Sequence, residues 1–311
     1  MITVALKAAI VSHIVLDHIQ DEHRNPVADS LGGPTCYSGL IAKKFGFDVI
    51  PVTKVGNDFS VYNKRLLHEN GIEINQSHIS KDSPTTRFLI TIKKDERDLF
   101  LCSKCEPLRW EDLYGINADC WIISPVLDEL SVQLLAHFAN DIKENDDFIL
   151  LDPQGYLRRT DQYGNILSVR NFEYDLPSFT ALKISENEQR ILTSGLDGEQ
   201  AMRLIHSSKR IKFLISTQNY RIHLLYDEMH YWVNIPYIET LDSTGAGDIL
   251  SSAFACAYVK EKDPLWAICF GAGAIRAALE TKLTGLNKVP SKSKIEHCAS
   301  YYYNTVSFKM L

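Results

Sequence analysis

The segment with the clearest chemical potential begins at Asp242 and reads DSTGAGDILSSAFACAY. Gly245, Ala246 and Gly247 would lead into the first turn of a helix, where several backbone N–H groups have no helical partner. The helix dipole adds a potential that favours negative charge at the same end. The pattern therefore predicts an anion hole formed by the backbone.

Asp248 follows the small residues directly and would lie in that first turn, where a carboxylate is stabilised as an anion. It could accept a proton from a hydroxyl held against the bound anion. An anion hole beside a base suits phosphoryl transfer to an alcohol, because this reaction depends mainly on positioning and electrostatic stabilisation. A structural alternative stays open at this point, namely a glycine-rich connection with Asp248 as a helix-capping acid. No Gly-Lys-Ser/Thr follows, which excludes a P-loop.

Composition narrows the class of protein. The 311 residues are 45% hydrophobic and 23% charged, which is ordinary for a folded protein of enzyme size. A formal net charge of −6 disfavours nucleic-acid binding, which needs clustered Lys and Arg. The cysteines, 7 in number and scattered, fit a reducing compartment better than a disulfide framework. With no leader-like or membrane-spanning segment, we expect a cytoplasmic protein without membrane partners.

The elements that must position these residues alternate along the chain. Short apolar runs, typical of strands covered on both faces, alternate with helical patterns. The runs are TVALKAAIV, DVIPVTKVG, CWIIS, DFILLDP, ALKIS and IKFLIST. Gly46 and Gly71 stand where helix-ending glycines belong. The pattern predicts an α/β fold, with a doubly wound and mostly parallel sheet flanked by helices, in one domain over residues 1–311.

Two regions depart from this alternation, at residues 13–30 and 84–103. Their alternating apolar and polar residues predict a small antiparallel sheet, with a turn at residues 94–96. Ligands of open α/β sheets bind at the carboxyl ends of the strands, so a small sheet there would form a lid. Exposed lid strands could also pair between subunits, which makes a homodimer a further expectation.

Two long segments resemble the signatures of a known family. DSTGAGDILSSAFACAY is similar to the C-terminal signature of the ribokinase-like, or PfkB, carbohydrate kinases. LGGPTCYSGLIAKKFGFDVIPVTKVGNDF, at residues 31–59, resembles the N-terminal signature, and the order and separation match as well. The resemblance covers nearly the whole chain. It implies phosphoryl transfer from ATP, with Mg²⁺, to a hydroxyl of a sugar, an inositol or a nucleoside.

The resemblance also implies roles for single residues. Asp248 would be the catalytic base, and the backbone of Gly245–Gly247 would bind the transferred phosphoryl group. Asp17 would bind acceptor hydroxyls, since a carboxylate can accept hydrogen bonds from two neighbouring hydroxyls. Gly32 and Gly33 would let the acceptor approach the backbone closely. Asp242 matches an acid that lies near a site for a monovalent cation such as K⁺.

The donor side departs from the family pattern. KISENEQ resembles an Asn-x-x-Glu segment, in which Glu188 would help bind hydrated Mg²⁺ and Ser185 replaces the Asn. After IKFLIST the family usually has Thr-x-Gly-x-x-Gly beside the nucleotide, whereas this chain has Thr217, Asn219 and Ile222 at those places. Asn adopts a positive φ more readily than Ile does. We therefore expect a reshaped loop in which Thr217 and Asn219 contact the donor.

Other positions leave alternatives open. Tyr37 stands where ribokinase has an amide near the sugar, and its ring suits either the face of a cyclic acceptor or packing under the lid. Asp152, Arg158 and Arg87 are candidates for contacts with phosphate or substrate. The missing glycines favour a second class, a nucleotide- or sugar-binding regulatory protein that has lost catalysis, while the intact GAGD favours an enzyme. A dehydrogenase is disfavoured because no GxGxxG follows the first strand.

Overall fold

The computed structural model describes residues 5–93, 96–142, 147–169, 179–209, 211–218, 220–240 and 242–311. Asn219 and the predicted turn at residues 94 and 95 lie outside these ranges.

A nine-stranded sheet forms the centre of the described chain. Its parallel part contains, in spatial order, β4 (Asp48–Val52), β1 (Lys7–Val11), β7 (Cys120–Ile123), β8 (Phe148–Leu151), β11 (Ala181–Ser185) and β12 (Phe213–Gln218). All of these strands coincide with the predicted apolar runs, because helices cover both faces of this part of the sheet. The predicted fold class is confirmed.

An antiparallel extension continues the sheet beyond β12. It consists of β13 (Arg221–Tyr226), β14 (Met229–Asn234) and β15 (Ser307–Met310). The sequence analysis did not identify these strands. The β13–β14 turn is made by Asp227 at φ 51°, without the glycine or proline that usually marks a hairpin.

Helices flank the sheet on both faces. In chain order they are α1 (Pro34–Lys44), α2 (Val61–Glu69), α3 (Trp110–Leu113), α4 (Val132–Ile142), α5 (Glu186–Leu192), α6 (Gly198–Lys209), α7 (Ala246–Glu261), α8 (Pro264–Leu279) and α9 (Lys292–Tyr303). Helices α1, α7, α8 and α9 share one core with one sheet face, and α4 and α6 share a second core with the other. Gly46 and Gly71, at φ 76° and 75°, end α1 and α2 as predicted. Among the described residues, no helix is both long and apolar enough to cross a membrane.

A separate four-stranded sheet has the order β3 (Pro26–Gly32), β2 (Val15–Asp21), β5 (Thr86–Lys93) and β6 (Glu96–Ser103). The small sheet is present as expected, but the prediction that it is antiparallel is wrong at its centre, where β2 and β5 pair in parallel. These two strands are separated in the chain by β3, α1, β4 and α2, and such a long crossover permits parallel pairing. Two short strands, β9 (Arg158–Thr160) and β10 (Ile166–Ser168), form a ribbon linked to β6 by a bridge.

Candidate active site

A cavity of about 2110 Å³ lies between the carboxyl ends of the parallel strands and the small sheet. The sequence-predicted residues that line it are Asp17, Gly33, Tyr37, Asp152, Arg158, Ser185, Glu188, Thr217, Gly245, Ala246, Gly247 and Asp248. Gly32 lies against Asp17 at the end of β3. Asp242 lies behind the loop that precedes α7 and does not line the cavity. Sequence reasoning therefore named residues from distant parts of the chain that the fold brings to one place.

The N-terminus of α7 opens into this cavity. Gly245 is its N-cap residue in the left-handed conformation, and the Ala246 amide donates to the Ser243 carbonyl oxygen at 3.2 Å. The next two amides, of Gly247 and Asp248, have no hydrogen-bond partner among the described residues. Free amides at the start of a long helix form a binding site for an anion.

Gly245 offers a direct test of this loop. Its φ is +76°, and a Cβ built there would lie 2.3 Å from the Tyr37 ring. We expect Gly245→Ala to destabilise the protein by about 2 to 4 kcal/mol, because it combines backbone strain with a clash. Gly115→Ala is the matched control, since Gly115 has the same φ of +76° with no atom near its Cβ position. Equal losses in chemical denaturation would show that the contact with Tyr37 carries no cost.

Asp248 occupies the first turn of α7 and is 8% exposed. Its carboxyl group accepts no hydrogen bond from any side chain or amide in the described part of the chain. The pKa of Asp248 is raised to about 7, mainly by burial and also by the charge of Asp152, while Lys183 opposes the increase. The Ser38 hydroxyl donates to the Asp248 carbonyl oxygen at 3.1 Å and so joins α1 to α7. Asp248 is thus a fixed carboxyl group that can exchange a proton near neutral pH.

Asp17, on β2 of the small sheet, is 4% exposed and also lacks a donor among the described residues. Burial raises the pKa of Asp17 to about 7, and the positive charge of Arg97 opposes that increase. A Cβ at Gly32 would lie 2.0 Å from Asp17 Oδ2, so only glycine leaves room for this carboxyl group. Asp17, on the small sheet, and Asp248, at the start of α7, consequently face one cavity, and neither carboxyl group accepts a hydrogen bond from the described residues.

Lys183 is a site residue that the sequence analysis missed. Its Nζ lies 2.8 Å from Asp152 Oδ2, and a Cβ built at Gly247 would lie 2.9 Å from the same Nζ, which places the ammonium against the anion hole. Burial lowers the pKa of Lys183, but Asp152 and Glu188 outweigh burial and raise it overall. A lysine inside the apolar strand ALKIS is the signal that could have identified it, because a charge there must serve a buried partner.

Arginines complete the positive wall of the cavity. Arg158 lines it and is held by the Val126 carbonyl oxygen at 3.2 Å and by Gln154 Oε1 at 3.0 Å. Arg97, on β6, also lines the cavity. Arg87, on β5, is exposed and is not among the residues that line the cavity. Arg87 pairs with Asp58 Oδ2 at 3.3 Å, and its contact with substrate or phosphate stays a prediction.

The residues predicted to contact the donor lie at the ends of β11 and β12. Ser185 caps α5, where its amide donates to Glu188 Oε2 at 2.6 Å, and Thr217 pairs with Ser185 across the two strands. The described residues contain no cluster of His, Cys, Asp and Glu that could bind a metal by itself. Mg²⁺ usually keeps several waters and binds through one or two carboxylates plus substrate phosphates. Glu188, which lines the cavity with one oxygen outside the cap, fits a water-mediated contact of this kind.

The doubly wound sheet, the small sheet at its carboxyl edge and the helix N-terminus beside an acid together define the ribokinase-like class of kinase fold. The chain belongs to the pfkB family of carbohydrate kinases, whose model matches residues 7–291. The resemblance drawn from the two signatures is therefore confirmed, and with it the assignment as a kinase. No curated protein matches the chain significantly.

Solved structures of kinases share this fold. A pyrophosphate-dependent kinase of the ribokinase family, solved with a pyrophosphate analogue and myo-inositol, is 20% identical with a TM-score of 0.77, over 93% of this chain and 99% of that one. Ribokinase from Arabidopsis thaliana, with ribose and ATP, is 17% identical with a TM-score of 0.71, over 95% and 99%. A fructokinase double mutant from Vibrio cholerae O395, with fructose, ADP and potassium ion, is 15% identical with a TM-score of 0.73, over 95% and 99%.

Proposed function

We propose that this protein transfers the terminal phosphoryl group of ATP to a hydroxyl group of a small polyol. The observation that carries the proposal is the pair Asp17 and Asp248, two buried carboxyl groups without donors that face one cavity next to free helix amides. Buried polar groups are costly unless they are hydrogen-bonded. Neighbouring hydroxyl groups of a polyol supply the donors that both carboxyl groups lack.

The transfer follows from this arrangement. Asp17 orients the acceptor, and Asp248 takes the hydroxyl proton as the acceptor oxygen forms its bond to phosphorus and the bond to the leaving diphosphate breaks. The amides of Gly247 and Asp248 bind the transferred group, and Lys183 adds positive charge beside it. Glu188 would hold hydrated Mg²⁺ through a water molecule, and the ion would supply positive charge to the donor phosphates. We propose that the small sheet acts as a lid that excludes water.

The acceptor class is a neutral sugar, inositol or nucleoside. Fold relatives have been solved with myo-inositol, ribose and fructose, and these share neighbouring hydroxyl groups. Tyr37 borders the cavity and is fully buried with its ring against Gly245, so it supports the anion-hole loop.

The donor site has two chemically different parts. Besides Lys183 and Arg158, the lining of the cavity includes the apolar residues Ile222, Ile235 and Leu279, which suit the base of a nucleotide. These apolar residues favour ATP. Pyrophosphate is a second candidate donor, because Arg97, Arg158 and Lys183 all line the cavity and the family's glycines are missing from the nucleotide loop.

A phosphoryl-transfer screen tests the proposal. Inositols, sugars and nucleosides are each combined with ATP, GTP, ADP or pyrophosphate in the presence of Mg²⁺, and phosphorylated products are identified by mass spectrometry. We expect product with at least one polyol and with ATP. Product with pyrophosphate alone would replace the donor, whereas binding of polyol or nucleotide without any product would indicate the non-catalytic regulatory protein.

Activity is also expected to depend on pH. The pKa of Asp248 is raised to about 7, and only its ionised form accepts a proton, so kcat/KM for the acceptor should fall about tenfold for each pH unit below 7 and level off above it. Asp17, with a pKa raised to about 7, ionises over the same range and steepens the fall. Initial rates across the pH range of stable folding provide the profile. A rate that stays constant from pH 5 to 8 would exclude a base of this pKa.

A further inference from the structure

Asp242 lies directly behind the anion-hole loop and is 1% exposed. Its Oδ1 accepts a hydrogen bond from the Thr244 amide at 2.8 Å, and its Oδ2 accepts one from the Gly285 amide at 2.9 Å. One carboxylate thus joins the loop that leads into α7 to the turn that follows α8. A buried carboxylate is costly unless it is paired, so Asp242 needs a positive charge beside it.

Lys288 supplies that charge from within the chain. Its Nζ lies 2.8 Å from Asp242 Oδ2 and 3.1 Å from the Asp242 carbonyl oxygen. Residues Gly285–Lys288 form a single 3₁₀ turn that directs the side chain inward, where it is 1% exposed. The same Nζ lies 5.3 Å from the centre of the Tyr37 ring, which packs against Gly245. Lys288 therefore supports the loop through Asp242 and through Tyr37.

The pKa shifts of Asp242 and Lys288 reflect their burial and their contact with each other. Burial would raise the pKa of Asp242, but Lys288 and the amides of Gly285 and Thr244 hold it below its usual value, so the carboxylate is ionised. Burial lowers the pKa of Lys288, and Asp242 opposes that effect. Asp242 and Lys288 therefore form a buried ion pair.

A separate monovalent cation does not fit beside Asp242. Both carboxylate oxygens and the carbonyl oxygen already face N–H donors, and such a cation would lie next to an ammonium group of the same charge. This differs from the expectation that Asp242 lies near a K⁺ site. It also differs from the fructokinase of the same fold, which was solved with a bound potassium ion.

We propose that the Lys288 ammonium replaces the monovalent cation in this protein, as a positioning residue for the anion-hole loop, so that phosphoryl transfer needs no K⁺. Only the kinetic test of this inference rests on the proposed function. The role is indirect, because Lys288 touches Asp242 and the Tyr37 ring and does not line the cavity.

Cation dependence of the wild-type protein is the first test. Rates are measured at constant ionic strength in tetramethylammonium chloride, with replacement by NaCl, KCl or NH₄Cl. We expect rates that are equal within about twofold, because the cation is already part of the chain. A rate that depends on K⁺ would overturn the proposal.

Chemical rescue of variants is the second test. Lys288→Ser, which opens space and adds an oxygen, should lose about 10- to 100-fold in kcat without K⁺ and recover much of it when KCl or NH₄Cl is added. Lys288→Met keeps the space filled and should lose activity without recovery. Lys292→Met, at an exposed lysine, controls for loss of surface charge. A folded Lys288→Ser variant with wild-type kcat in the absence of K⁺, or one that no cation rescues, contradicts the proposal.

Thermal unfolding separates this inference from the proposed function. The midpoint of the wild-type protein should not respond to KCl relative to tetramethylammonium chloride, whereas Lys288→Ser should be stabilised specifically by KCl. This readout needs no turnover, so an inactive wild-type protein would remove the proposed function and leave the cation test intact. If Lys288→Ser folds in neither salt, the wild-type midpoint decides: a K⁺-specific increase rejects the inference and its absence supports it.

Discussion

Asp248→Asn is expected to lower kcat by about 10²- to 10⁴-fold while the donor and the acceptor still bind. The amide keeps the shape of the side chain and the helix N-terminus but cannot take a proton. Calorimetric titration with nucleotide, beside initial rates, separates binding from transfer. Glu261→Gln is the control, because this exposed residue lies at the opposite end of the same helix.

The same substitution should stabilise the protein without ligand. The folded pKa of Asp248 is about 7 and the unfolded value is about 3.9, so the folded state binds more protons between these values. The free energy of unfolding contributed by Asp248 therefore falls as pH rises from about 4 to 7, by up to about 4 kcal/mol. Asp248→Asn removes this loss, and its thermal midpoint should exceed that of the wild type at pH 8. Full activity of this variant would refute the assignment of the base.

Lys183→Met is expected to have the second largest effect. It should lower kcat/KM for the donor by about 10²-fold or more, because it removes the charge beside the Gly247 amide. It should also destabilise the protein by about 3 to 5 kcal/mol at neutral pH, since Asp152 would remain buried without its partner. Burial raises the pKa of Asp152, so this loss should shrink as the pH falls and Asp152 becomes protonated.

A double variant distinguishes the two effects of Lys183. Asp152→Asn/Lys183→Met should recover most of the lost stability, because no unpaired charge remains, but it should not recover kcat/KM for the donor. Urea denaturation and donor kinetics on the same samples give both quantities. Recovery of both together would mean that Lys183 acts only through the stability of the site and does not contact the donor.

The parallel core was predictable because its strands are covered on both faces. Continuous apolar runs such as CWIIS and DFILLDP have few other interpretations when helical patterns separate them. The hairpin of β13 and β14 was missed, since its turn at Asp227 uses a residue that also occurs in ordinary loops. In the small sheet, the alternation of apolar and polar residues along each strand was visible in the sequence. This pattern does not show whether β2 and β5 run in the same direction.

Much of the candidate site could be named in advance because its backbone requirements restrict residue type. Gly32 must leave room for Asp17, and Gly245 must adopt a positive φ next to Tyr37, so glycines recur in recognisable order. Lys288 had no comparable signal in the sequence, and Lys183 had only its position inside the apolar strand ALKIS. Each has a role only through a carboxylate that is distant in the chain, Asp152 for one and Asp242 for the other.

The sequence by itself therefore determined the family, the reaction class and the position of Asp248 before a buried helix, because these depend on local spacing and backbone conformation. Tertiary packing decided which charges meet. It raised the pKa of Asp17 and Asp248 by burying them without donors, and it placed Lys288 on Asp242 where a separate cation was expected. Burial and pairing are properties of the folded chain, since both depend on which distant residues exclude water from a carboxyl group.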